Sequence, residues 1–278
     1  MQVENIETRA FGGEHLEGAV HLSREAGWPH RLEDWQVVLG VSQGVVALDE
    51  TGKVVGTTLM TPYGDDCATI NMVIVDAGLR GRGVGRRLMD EALDLGGARP
   101  FRLIATADGL PLYEKLGFRE TGRVFQHQGM VGEVTAPAHV EAATAADLAD
   151  ITAIDRDAFG ADRSSLIAKF AEIGKFAVIR RDDRITGFAC IRAFGRGEVV
   201  GPVAATTIED AKALVAYFMS SRTGAFLRVD TGNAALATWL SEYSLAHVGG
   251  GVAMARPAPT RALTSTFTTF ALANQALG

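Results

Sequence analysis

"LRGRGVGRRLM", residues 79–89, places glycine at every second position, 81, 83 and 85, and fences them with Arg80, Arg82, Arg86 and Arg87. A backbone this bare lets a ligand come close, and amides at the mouth of a helix carry positive partial charge. Each such N–H given to a charged oxygen contributes ~1.5–3 kcal/mol. The flanks supply the setting. "ATINMVIV" (68–75) reads as a strand, while Leu88, Met89, Ala92 and Leu93 recur at helical spacing over 84–95. Gly96 and Gly97 end that helix. The stretch is thus a strand-to-helix turn suited to phosphate. Two common phosphate loops are excluded. A P-loop ends in Gly-Lys-Ser/Thr, whereas Val84 follows Gly83. A dinucleotide fingerprint needs a third glycine where Arg86 stands.

Outward from this turn, one order of elements occurs twice. Helices are expected over 14–26 and 32–39, a hairpin over 45–59 and a strand over 101–105. Asp108 is the expected cap of a helix that carries Pro111 in its first turn and ends at Gly117; strand 118–125 follows. Later come a hairpin over 176–191, a strand over 198–204, a helix over 209–219, strand 226–230 and helix 234–243. Gly187 takes the place of Gly56, an offset of 131 residues. Between the halves, "GEVTAPAHV" (132–140) has the composition of a linker. Two domains, 1–132 and 133–278, are the expectation, with one large mixed sheet as the alternative.

The 278 residues suffice for two cores, with 47% hydrophobic and 22% charged content. The net charge of -6 argues against a nucleic-acid partner. Cys67 and Cys190 lack metal-ligand spacing, so no metal is expected and a reducing cytoplasm is. Residues 1–9 are polar rather than signal-like, and no run approaches a membrane span.

Arg80-Gly81-Arg82-Gly83-Val84-Gly85 resembles the Arg/Gln-x-x-Gly-x-Gly/Ala signature of the GNAT family of N-acetyltransferases. "LYEKLGF" (112–118), which starts 27 residues past Gly85, is similar to that family's second hallmark. Both occur in the right order on the right elements. The resemblance implies an α/β (α+β) fold of two tandem GNAT-like domains, each a mixed, largely antiparallel sheet flanked by helices. It implies acetyl-CoA as co-substrate, with Arg80, Gly81, Arg82, Gly83, Val84 and Gly85 around its diphosphate and Arg86 assisting. Val73, Ile74 and Val75 would form the strand edge along the pantetheine arm. Thr106 departs from the family, which often has asparagine seven residues before the tyrosine; threonine can still donate or accept there.

The implied reaction is direct attack of an amine on the thioester. An amide near Val75, where the family's strand bulges, is the expected oxyanion donor. Tyr113 is the expected donor to the departing sulfur. Full transfer from a phenol of pKa about 10 to a thiolate of pKa about 8.5 is uphill by ~2 kcal/mol, so Tyr113 acts mainly by hydrogen bonding. A lysine-like amine costs ~4.6 kcal/mol to neutralise at pH 7. Many relatives use a glutamate near the start of this strand; this chain reads Thr69-Ile70-Asn71, and Asn71 can only orient a water. Asp65, Asp66, His30 and Asp34 are bases by position alone. In "GWPHRLEDW" (27–35), Trp28, His30 and Trp35 are candidates for the acceptor pocket, or for its underpinning, and suit a small amine better than a protein tail.

The second half keeps the scaffold and loses the chemical parts. "VVGPVAATTIEDA" (199–211) has no alternating glycines and no arginine, and puts Glu209 and Asp210 at the helix start, against a diphosphate. Leu240 stands at the place of Tyr113, with Tyr243 three positions too late. The resemblance is therefore to a tandem protein with one working copy, whose silent copy closes the acceptor cleft. "TSTFTTFALANQALG" (264–278) is apolar enough to dock. The expected protein is a monomer or homodimer. It acetylates a small-molecule amine, or a protein lysine or N-terminus, or uses a longer acyl donor; a non-catalytic acyl-CoA sensor is the reading from another class.

Overall fold

A computed structural model describes residues 6–257 and 265–278. Residues 1–5 of the polar opening and residue 264 of the apolar terminal stretch lie outside this range. The first half runs β1 (Glu7–Ala10), α1 (Leu16–Glu25), α2 (Leu32–Leu39), β2 (Gln43–Leu48), β3 (Val54–Tyr63), β4 (Cys67–Val75), α3 (Val84–Gly96), β5 (Phe101–Ala105), α4 (Leu110–Lys115) and β6 (Arg119–Met130). The second half repeats that order as β7 (Val140–Ala142), α5 (Leu148–Phe159), α6 (Ser164–Ile173), β8 (Gly174–Arg181), β9 (Arg184–Phe194), β10 (Gly197–Ala205), α7 (Ile208–Ser220), β11 (Phe226–Thr231), α8 (Ala234–Glu242) and β12 (Ala246–Arg256). A final strand, β13 (Thr268–Ala271), is extra.

The repeat has a physical signature at its two matched glycines. A methyl group on Gly56 would stand 2.8 Å from Leu88 Cδ1 of α3, and one on Gly187 would stand 3.2 Å from Leu214 Cδ1 of α7. In each half a helix leucine rests on the bare centre of the hairpin. Strand β3 is buried along nearly its whole length, as expected for a strand covered on both faces. Trp35, Leu59, Tyr63 and Met72 pack in one cluster, and Met60, Ile70, Met89, Phe101 and Phe118 in another.

All strands join in one sheet, ordered β1-β2-β3-β4-β5-β12-β6-β11-β10-β9-β8-β7, with β13 on β10. The halves exchange their last long strands. β12 lies antiparallel between β5 and β6, with Val252 opposite Ala105 and Arg123. β6 in turn pairs with β11, from Phe226–Met130 to Thr231–Phe125. The repeated order and the single sheet thus coexist. The apolar cores also merge: Leu166, Phe170, Cys190 and Leu277 belong to the cluster of Trp35 and Tyr63.

The apolar tail docks across both halves. Val203, Ala204 and Ala205 of β10 face Ala271, Thr269 and Thr268 of β13. The Tyr63 hydroxyl donates to the Leu277 carbonyl at 2.6 Å, and Arg163 Nη1 donates to the Gly278 carbonyl at 2.7 Å. Arg163 is fully buried and forked onto Asp155 at 2.6 and 2.9 Å, which compensates its desolvation. Among the described residues no helix is long and apolar enough to cross a membrane.

Close approach of the tail depends on Gly201, where any Cβ would collide with the Leu272 carbonyl oxygen. Overpacking against backbone costs about 2 kcal/mol or more. Gly201→Ala should therefore lower the denaturant midpoint and expose residues 265–278 to protease. An unaltered midpoint with an undigested tail would show that the tail's seat does not need this glycine.

Candidate functional site

Strands β4 and β5 are parallel but pair only at Ala68–Phe101 and Thr69–Arg102. Beyond those rows they part, while β5 stays paired along its other edge with β12 from Phe101 to Ala105. The edge of β4 from Ile70 onward is left open toward the split. On its other edge β4 bulges: Asn71 faces Leu59 and Ile74 faces Thr57, so β4 spends three steps where β3 spends two. Met72 takes the left-handed region at φ 50°, and its carbonyl accepts from Thr57 Oγ1 at 2.7 Å. The bulge therefore falls at Met72–Val73, not at Val75 as expected, and neither Met72 nor Val73 has an opposite residue on β3.

At the end of β4, Asp76 closes a tight turn by accepting from the Gly78 amide at 2.8 Å. Gly81 (φ 75°) and Gly83 (φ 87°) follow, both in the left-handed region and both with open space where a Cβ would project. Gly83 is the N-cap of α3 and offers no side chain to its amides. The first hydrogen bond of the α3 ladder is Arg87 N–H to Gly83 O, so the amides of Val84, Gly85 and Arg86 have no helical acceptor. Gly85 serves packing instead. The site of its missing Cβ is 3.5 Å from Val75 and Leu112 side-chain atoms, so α3 lies close to β4 and α4. Arg80 reaches Asp108 at 3.1 Å, and Arg86 reaches Asp90 at 2.8 Å. Both pairs are solvent-exposed and so contribute little rigidity. Asp108 is accordingly an ion-pair partner rather than the cap of α4. Gly109 is the N-cap and offers no side chain; Thr106 closes the turn before it, its carbonyl accepting from Gly109 and Leu110 and its Oγ1 from Gly109.

The split opens into a cavity of about 370 Å³, a size fit for small ligands. Ile70, Asn71, Met72 and Val73 line it from β4, Ile104 from β5, Thr106 from just past the end of β5, Tyr113 from α4, and Trp28, Pro29 and His30 from the loop after α1. The second half supplies the opposite wall: Phe194, Arg196, Arg228, Val248, Gly250 and the tail residues Asn274, Gln275 and Ala276. Gln126 and Gln128 of β6 complete it.

Tyr113 is 7% exposed, and burial pushes its phenol up, so it stays protonated through the neutral range. Its ring folds back onto Gly109, where a methyl group would stand 2.8 Å from the ring edge. Asn71 is buried, and its Nδ2 donates to Thr61 Oγ1 at 2.9 Å. Its Oδ1 has no hydrogen-bond partner among the described residues. A buried carbonyl oxygen without a donor costs about 1–3 kcal/mol; this one has almost no accessible surface, so a donor in the cavity reaches it only with a shift of the Asn71 side chain. His30 touches Trp28 and Phe194 edge-on at 5.5 and 5.7 Å. It is partly exposed where it lines the cavity, and burial of most of the ring, with Arg228 nearby, pushes its pKa down to about 4 against the opposing pull of Asp34. It is neutral at pH 7.

Trp35 does not reach the cavity. It is wholly buried, stacked on Phe11 at 5.7 Å and donating from Nε1 to Ser23 Oγ at 3.1 Å. It underpins the wall that Trp28 and His30 form. Ile74 likewise turns its side chain into the core. Of the positional bases, Asp34 is held by Arg31 and by the Gly195 amide at 2.9 Å, Asp65 by Arg99 at 3.0 Å, and Asp66 accepts from the Asp162 amide at 3.1 Å. None of the three lines the cavity. Arg196, Arg228 and Asn274–Ala276 escaped the sequence reading because exchange and docking bring them from the other half. The run Gly249-Gly250-Gly251 was the available signal, since a Cβ at Gly250 or Gly251 would meet the backbone of β6 or β5.

The matching places in the second half are filled by the protein itself. β10 and β11 pair only at Glu198–Leu227 and Val199–Arg228, the same two-row ladder. The split beyond is occupied by β13, with the Leu272 amide donating to Asp230 O at 2.8 Å and Thr231 Oγ1 donating to Phe270 O. At the start of α7, Thr207 caps the Asp210 amide, and the Asp210 carboxylate is forked onto Arg181 at 2.6 and 2.8 Å.

Residues 41–120 and 151–267 each match a family model described as an acetyltransferase (GNAT) domain. Over 225 residues the chain is 28% identical to the uncharacterized N-acetyltransferase YitH of Bacillus subtilis (strain 168), spanning 78% of this chain and 79% of that protein. It is also 28% identical over 203 residues to the holothin acyltransferase of Pseudoalteromonas sp. (strain SANK 73390), spanning 63% and 67%. A solved putative acetyltransferase from Pyrococcus horikoshii superposes with a TM-score of 0.83 at 18% identity, covering 100% of this chain and 98% of the other. A tandem GNAT protein from the clavulanic acid biosynthesis pathway gives 0.63 at 14% identity, covering 90% and 98%. These last two likenesses concern the fold.

The depressed pKa of His30 has a measurable consequence. Between pH 6.5 and about 4 the unfolded chain binds a proton at this site that the native protein refuses, so stability falls as pH falls through that window. The span of the shift corresponds to about 3 kcal/mol. Urea unfolding of wild type and His30→Phe at pH 7, 5.5 and 4.5 should show a steeper acid loss in wild type. Parallel pH dependences would mean that His30 protonates normally in the folded state.

Proposed function

The chain belongs to the GNAT acetyltransferase family, and on that premise we propose that it transfers the acetyl group of acetyl-CoA directly to a primary amine of a small molecule, at the first half's site alone. The observation that carries this reading is one split strand pair with an open amide cradle at its end and Tyr113 and Asn71 on its cavity. The diphosphate meets the amides of Val84–Arg86 and the guanidinium of Arg80. Gly81 and Gly83 keep Cβ atoms out of its way, and Arg82 adds charge. The pantetheine arm lies along the free edge of β4 through Val73, Ile74 and Val75, with the Thr106 hydroxyl across the split.

The amine, having given its ammonium proton to water, attacks the thioester carbon; a C–N bond forms, the C–S bond breaks, and the second proton shed by the nitrogen passes through water to the departing thiolate. The Met72–Val73 bulge supplies the amide for the developing oxyanion. Tyr113 donates a hydrogen bond to the departing sulfur, and its raised pKa suits a donor that is never asked to ionise. Asn71 Oδ1 accepts from the amine or from a water beside it.

In this reading the second copy is a wall, not a catalyst: Asp210 sits in its cradle and β13 in its split. A cytoplasmic location fits two free cysteines, both buried, with burial pushing the Cys190 thiol up to about 12. Tyr113→Phe should lower kcat by about 10²-fold while acetyl-CoA affinity shifts less than about twofold. Undiminished kcat removes Tyr113 from the chemistry. Binding of acetyl-CoA with no transfer to any amine would instead mark the protein as an acyl-CoA sensor.

A further inference from the structure

The charges around the cavity point to the kind of amine it takes, an inference that rests on the acetyl-transfer reading above. Its lining holds no aspartate or glutamate among the described residues, but it holds two arginines. Arg228 is neutralised by a two-pronged contact with Asp230 at 2.8 and 3.0 Å. Gln275 bridges the same Asp230 to Gln126 through Nε2, at 3.0 Å each, so that carboxylate is fully engaged. Arg31 and Asp34 cancel in the same way at 2.8 Å.

Two cations remain. Arg196 is exposed on the cavity and has no hydrogen bond or ion pair among the described residues. Arg192 is buried behind Phe194, its guanidinium 5.2 Å from that ring's centre. It donates to the Ala273 carbonyl at 3.0 Å, and no carboxylate pairs with it among the described residues. The field inside the cavity is therefore positive, strengthened by burial at Arg192 and screened by solvent at the exposed Arg196. Such a field repels diamines and basic peptides and favours a substrate that brings its own negative charge.

Deprotonation points the same way. With no carboxylate base in the cavity, a lysine-like amine would lose about 4.6 kcal/mol at pH 7; a free α-amino group, held by its own carboxylate above the peptide-terminus value near 8, loses less than that but more than about 1.4 kcal/mol. A positive field lowers the ammonium pKa further. Trp28 and Phe194 give the walls an aromatic, apolar face suited to a compact organic body.

We propose that the acceptor is a small α-amino-acid-like amine, its carboxylate held by Arg196 and its amine lodged against the Asn71 wall, where a small shift of that side chain brings Oδ1 onto an N–H. The arginine is the specificity determinant: it selects the anion, while the orphaned asparagine oxygen orients the nucleophile. A phosphate in place of the carboxylate shares the chemistry of an oxyanion on a guanidinium.

The test compares phenylalanine, phenylalaninamide, phenethylamine, 1,5-diaminopentane and phosphoethanolamine as acceptors, following thiol release from acetyl-CoA. Phenylalanine should exceed phenylalaninamide and phenethylamine in kcat/KM by about tenfold or more, with diaminopentane last. Arg196→Gln should erase that ratio by raising KM for phenylalanine, and Arg196→Lys should restore part of it. Phosphoethanolamine outrunning phenylalanine would replace the carboxylate with phosphate and overturn the amino-acid assignment. Equal rates across the panel, or diaminopentane first, would overturn the anionic acceptor while leaving acetyl transfer intact. Calorimetry with N-acetylphenylalanine needs no turnover: binding that Arg196→Gln abolishes supports the proposal even in an inactive protein, and binding indifferent to Arg196 overturns it.

Discussion

The site depends on one constraint, the length of the parallel ladder between β4 and β5. Two rows of pairing hold the strands together, after which they part and the edge of β4 is released, while β12 keeps the far edge of β5 paired throughout. A longer ladder would close the cavity, and an absent one would detach α3 and its amide cradle from the strand that aims it. The exchanged strand makes the short ladder tolerable, since β12 pairs with the whole of β5 along its other edge and so holds it in the sheet while the edge toward β4 is free. A strand from the other half is thus a condition of the opening.

The same geometry in the second half shows what happens when such an opening is left without a ligand. Backbone edges and buried splits demand partners, and β13 supplies them there. Gly201 stands 130 positions after Asn71 and lacks the side chain that would obstruct the tail. One repeat keeps its split as a cavity with an unsatisfied asparagine oxygen; the other fills it with its own chain. The remaining tail then turns back, so that Asn274, Gln275 and Ala276 wall the first cavity. The two copies have diverged into a cleft and the part that shuts it.

Much of this was legible in the residues. The bounds of α2 and β5 coincide with the periodicity, and the Gly56–Gly187 match marked the repeat, because a glycine under a packed leucine is a local requirement. The cradle was legible for the same reason: left-handed glycines before a helix announce themselves over a few residues. Strand exchange was not, since β12 carries the same local pattern whichever sheet receives it. Nor were α5, α6 and β13 assigned, their apolar positions being decided by distant partners. The bulge was placed two residues late because its position is set by pairing with β3. Asp108 was given a plausible local role as a cap that it does not fill, and of the two places open to Trp28 and Trp35 the first lines the cavity while the second packs beneath it. Arg196 and Arg228 needed the fold before they could be connected with the cavity at all.

The most direct measurement of the account's centre is calorimetric titration of the full chain with acetyl-CoA, on wild type and on Gly83→Val, whose branched side chain is strained at φ 87°. One site per chain, lost in a variant that keeps its circular dichroism, is the predicted result. Two sites per chain, or one that survives Gly83→Val undiminished, would contradict it.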